Sequence, residues 1–206
     1  MDKITKRSLK GESTINKIAF LARAMTAPHV FATPLLLVLF FTKPEFIGSI
    51  WFLLAGIFFL TALPMLAYPL QRFIPRYKDR GREGQRKLAV IFSFAGYVLG
   101  MITVLVFNAP RELKMIFCEY VLCGLCIFVC DKVFKFKASG HACGSVGPAA
   151  MLIYLGQYIA AIVFAILIIP AFVSSLTTKR HTLKELISGS IVPLMMLIIV
   201  YLIFGA

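Results

Sequence analysis

Acidic side chains are scarce in this chain. Nine Asp and Glu stand against 22 Lys and Arg in 206 residues, and charged residues of both signs reach only 15%. Soluble domains carry about 25%, so a water-facing globular surface is excluded. Histidine is scarcer still: His29, His141 and His181 are the whole complement. That restricts proton transfer by imidazole to few places. No internal repeat is evident, which removes the symmetry on which many transporter folds are built. A cleavable secretion signal is not expected, because the first 17 residues are polar and basic with no apolar core before a small-residue site.

Apolar sequence is what the chain has in quantity, at 60% hydrophobic. Several runs approach or exceed the ~18–20 residues that a helix needs to cross a bilayer. The pattern predicts an all-α, polytopic transmembrane bundle of six to seven helices. It comprises one membrane domain, residues 18–206, behind a basic arm, residues 1–17, lying on the membrane surface. The expected helices cover about 18–41, 49–71, 88–108, 112–134, 140–156, 158–175 and 182–204. Pro28 and Pro34 predict a kink in the first. His29 reads either as a functional group within that helix or as one bonded to a neighbouring helix. Glu119 lies well inside the fourth, and an intramembrane carboxyl is a functional hypothesis by default. Four of the five cysteines fall in that same helix. Cys123-x-x-Cys126 lacks a second pair at ligand spacing, so these thiols read as small packing residues, and no metal site is expected.

Each pair of crossings returns the chain to its starting side. The segments after the second, fourth and sixth helices therefore emerge on one face together with the N-terminal arm. That face carries 19 Lys and Arg and the opposite face three, Lys43, Arg111 and Lys114. Such an asymmetry marks the cytoplasmic side. The net charge of +13 would suggest nucleic acid in a soluble protein. Here the cations flank membrane segments, so lipid headgroups and anionic substrates are the expected partners, and nucleic acid is not.

Three polar islands interrupt the apolar sequence on that face. The first, Arg72 to Lys87, is dense in cations that suit phosphate oxygens. The second, Lys137-Ala138-Ser139-Gly140-His141, joins a hydroxyl and a glycine amide to an imidazole; Ser139 also suits a helix N-cap. The third runs from Ser174 to Glu185. Within it His181 and Glu185 stand four apart, on one helix face, and a carboxylate there would fix the imidazole tautomer. Thr182-x-x-Glu185 also reads as a capping box, which would turn Glu185 back to the backbone. From this segment alone the capping box is the favoured reading.

The three islands in this order resemble the motifs of the type 2 phosphatidic acid phosphatase superfamily, over roughly residues 72–204. Members carry Lys-x6-Arg-Pro, then Pro-Ser-Gly-His, then Ser-Arg-x5-His-x3-Asp. Ser139-Gly140-His141 matches the second motif, with Ala138 in the proline position. Ser174, His181 and Glu185 match the third, Glu185 replacing an aspartate and Ser175 replacing a phosphate-binding arginine. Lys78 and Arg86 stand for the first motif with one residue too many between them and no proline after.

The resemblance implies a metal-independent, cofactor-free lipid phosphatase, placed in a bacterial plasma membrane. His181 would be the nucleophile, Glu185 its orienting carboxylate and His141 the general acid and base. Lys78, Arg86, Arg80, Ser139, Gly140 and Arg180 would bind the substrate phosphate, with Arg80 and Arg180 as substitutes for displaced or missing cations. Polyprenyl diphosphate, phosphatidic acid and phosphatidylglycerophosphate all fit as substrates. A catalytically impaired relative that binds anionic lipid is the alternative, and a small transporter the more distant one.

Overall fold

The computed structural model describes residues 28–177 and 181–205, and these form an all-α bundle. Nine helices are present among the described residues. They are α1 (Pro28–Thr42), α2 (Pro44–Ile47), α3 (Ile50–Phe73), α4 (Pro75–Lys78), α5 (Gly81–Val106), α6 (Arg111–Lys132), α7 (Gly140–Tyr154), α8 (Tyr158–Thr177) and α9 (Leu183–Phe204). Five of them, α3, α5, α6, α8 and α9, are long and apolar enough to cross a membrane. The expected arm and residues 18–27 of the first helix lie outside the described residues.

Two differences from the expected spans have plain causes. Single-turn helices, α2 and α4, fill connections expected to be loops, each opened by a proline at its first position, where the missing N–H is no loss. Helix α5 begins at Gly81, inside the basic island, so Arg86 and Lys87 project from a helix. Gln71 makes this compact, since its Nε2 donates to the carbonyls of Tyr77 at 3.1 Å and Gly81 at 2.7 Å.

Close packing of long helices depends on glycine at two points. Within α3, residues Phe58–Ala62 form a π turn just ahead of Pro64, whose ring nitrogen cannot donate to the preceding turn. The Phe59 carbonyl there lies against Gly96 of α5, so closely that a Cβ would strike it. One turn on, Gly100 receives the Phe117 ring of α6. This Gly-x-x-x-Gly face lets backbones approach as small residues do in membrane bundles.

Helix α7 is the hub, packing against α9, α8, α1 and α6. Its 15 residues rise only about 22 Å, short of the ~30 Å hydrocarbon core. It is shielded by its neighbours: Ala142, Cys143, Ser145 and Gly147 to Leu152 are all buried. That enclosure explains how the helix richest in glycine, serine and alanine sits at the centre. A positive φ of 75° at Gly156 ends it, with Gln157 N–H returning to the Leu152 carbonyl at 2.8 Å.

Candidate functional site

The N-terminus of α7 and that of α9 meet at one end of the bundle. Ser139 is the N-cap of α7: its side-chain oxygen accepts from Ala142 N–H at 3.3 Å. The residue is fully buried because its backbone rests on α9. Ser139 N–H donates to the Glu185 carbonyl at 3.0 Å. One turn further along α9, Gly189 faces the Ser139 backbone with no side chain between. The second and third islands are thus joined backbone to backbone.

That junction positions the imidazoles. His141 and His181 face one another with ring centroids 6.2 Å apart and planes inclined by 46°. Glu185 Oε2 lies 2.7 Å from His181 Nδ1. A carboxylate only accepts, so Nδ1 is the donor in this pair, which leaves Nε2 as the lone-pair nitrogen of the neutral ring. The other carboxylate oxygen, Oε1, lies 3.6 Å from Lys137 Nζ. His181 and Glu185 are largely covered, with side chains 14% and 17% exposed, whereas His141 and Gly140 are open to the outside.

The capping box favoured from the segment alone is present, and its carboxylate has further partners. Thr182 does cap α9, its side-chain oxygen accepting from Glu185 N–H at 3.3 Å. The Glu185 carboxylate turns back to the Thr182 backbone and is shared with His181 and Lys137. An imidazole N–H and an ammonium are stronger partners for a carboxylate than one solvated amide, so the backbone contact is the weaker of the three.

The basic island stands apart. Lys78 ends α4, Arg80 precedes α5, and Arg86 projects from its second turn, all three exposed. Among the described residues, no ion pair joins them to Glu185. Among the described residues, the cation paired with Glu185 is Lys137, which the motif spacing does not single out because its partner is 48 positions away. Arg180 lies outside the described residues. Ser174 and Ser175 are buried on the last turn of α8.

Other polar features lie away from this end. Glu119 is 3% exposed, and its Oε1 has no hydrogen-bond partner. It packs deep in the bundle beside Gly147 of α7. Among the described residues, no three His, Cys, Asp or Glu side chains group as metal ligands. A groove of about 440 Å³, lined by residues such as Val38, Thr42, Gln157 and Phe164, opens at the opposite end of α7. No family model, curated protein or solved structure matches this chain.

Proposed function

We propose that the protein is an integral membrane phosphatase that hydrolyses a lipid phosphate or diphosphate through a phosphohistidine on His181. The observation carrying this reading is the histidine pair, one ring held by a carboxylate and the other 6.2 Å away at a helix N-terminus. A nucleophile about 3 Å from phosphorus and a proton donor about 3 Å from the leaving oxygen set the two nitrogens roughly 6–7 Å apart. Ring centroids 6.2 Å apart are on that scale.

In the first step His181 Nε2 attacks phosphorus while the bond from phosphorus to the lipid oxygen breaks. His141 gives its proton to that oxygen, so the lipid leaves as an alcohol, or as a monophosphate from a diphosphate. In the second, His141 takes a proton from water, the water oxygen attacks phosphorus, and the phosphorus–nitrogen bond breaks to release phosphate. The Gly140 amide, first in α7 and without an intrahelical acceptor, offers a donor to the equatorial oxygens. A site at the end of a membrane bundle suits a substrate whose chain stays in lipid while its phosphate reaches water. The reading carries a cytoplasmic active face, supported by the 19-to-3 distribution of Lys and Arg.

Phosphate release from a panel of lipid phosphates by the purified protein in EDTA tests the proposal. His181→Ala is expected to abolish release and covalent phosphate labelling. His141→Ala is expected to slow release by ~10²–10⁴-fold. Wild-type turnover in His181→Ala would sink the phosphohistidine. A second reading, a lipid-phosphate binder without turnover, is favoured by the separation of Lys78, Arg80 and Arg86 from the pair and by Ser175. Binding of the panel without release would select it.

A further inference from the structure

We propose that Lys137 is the phosphate-binding cation of this site, resting on Glu185 and moving to the substrate's oxygens when substrate binds. The inference rests on the phosphatase reading and assigns a residue that the motif resemblance leaves without a role. Three observations carry it. The Glu185 carboxylate divides its oxygens, Oε2 going to His181 at 2.7 Å and Oε1 to Lys137 at 3.6 Å. The second distance exceeds the ~2.7–2.9 Å of a charge-assisted hydrogen bond, so charge attraction holds the ammonium there without a tight directional bond. The Lys137 side chain is 46% exposed while its carboxylate partner is 17% exposed. The mobile end of this contact is therefore the lysine.

The backbone supports the same division of labour. Ser139, two residues on, is fixed to α9 through its bond to the Glu185 carbonyl. The base of Lys137 is thereby held near the histidine pair, while four rotatable side-chain bonds leave its ammonium free to swing. A phosphate between the rings carries close to two negative charges and several acceptor oxygens near neutral pH, against one charge on Glu185. It draws the ammonium away and leaves the Glu185–His181 contact in place. Lys78, Arg80, Arg86 and Lys184 make no ion pair with Glu185.

Orthovanadate, a mimic of pentacoordinate phosphorus, is the probe, with binding to the purified full-length protein measured by titration calorimetry at low salt. Lys137→Met should weaken vanadate binding by roughly 10–100-fold, the scale of one lost charged hydrogen bond, and Lys137→Arg should restore most of it. Glu185→Gln should bind vanadate more tightly than wild type, because the competing charge is gone. That gain should vanish in the Glu185→Gln, Lys137→Met double variant. A purely structural lysine would alter thermal stability without this coupling. Unchanged vanadate affinity in Lys137→Met would overturn the inference while leaving the phosphatase reading standing. A wild type that binds no vanadate and releases no lipid phosphate would overturn both. Lys137→Gln gives the same contrast should the methionine variant fail to fold.

Discussion

Replacing Gly189 by alanine tests whether the joint between α7 and α9 positions the histidines. Helix propensity alone predicts a gain, since alanine is favoured over glycine by ~1 kcal/mol in a helix interior. Packing predicts the opposite. A Cβ at 189 would fall against the Ser139 carbonyl oxygen and 3.0 Å from that residue's carbonyl carbon and amide nitrogen. These are backbone atoms of a fully buried cap, so no flexible side chain can yield. Relief requires the segment and the helix to part by on the order of 1 Å. Overpacking costs about 1–3 kcal/mol, and the stretched Ser139–Glu185 hydrogen bond adds about 0.5–1.5 kcal/mol. The net expectation is a loss of about 1–3 kcal/mol. Because Ser139 leads directly into His141, a misplacement of that size is also expected to slow phosphate release by ~10²-fold. Thermal unfolding in detergent and lipid-phosphate turnover are the two readouts. Gly140→Ala is the control, since a Cβ there meets nothing within 4 Å, and its stability should match wild type. A Gly189→Ala protein as stable as wild type, with undiminished turnover, would refute the positioning argument.

Three further outcomes are expected. Glu119→Met removes a buried carboxyl oxygen that lacks a hydrogen-bond partner and should leave stability unchanged or raise it by about 1–3 kcal/mol; lower thermal stability in detergent would show that the carboxyl has a structural partner. Ser175→Arg is expected to destabilise by about 1–3 kcal/mol through overpacking, because Ser175 is buried on α8; higher turnover with wild-type stability would show that a guanidinium reaches the phosphate from there. Single cysteines at residues 76–84, in a background without the five native cysteines, should resist an impermeant thiol reagent in intact cells, and labelling from outside would reverse the assigned orientation.

Helix type and the positions of the long spans were legible in the sequence because long apolar runs admit few structures in lipid: every backbone polar group must be bonded internally. Boundaries of α6, α8 and α9 followed within a few residues for that reason. The start of α5 was less legible, since the charged Gly81–Lys87 stretch carries no apolar signal and is held by Gln71, ten positions before Gly81. The spacing of His181 and Glu185 was readable because one helical turn fixes it. Whether Glu185 served His181, the Thr182 backbone or both was not, since all use the same local pattern. Tertiary packing added a partner that no local pattern shows, bringing Lys137 from another segment to the second carboxylate oxygen. It likewise set the 6.2 Å between His141 and His181, a separation across 40 residues that depends on Gly189 leaving room for the Ser139 backbone. Local sequence determines what one turn of helix can hold, and contacts between turns distant in the chain are set only when their helices close against each other.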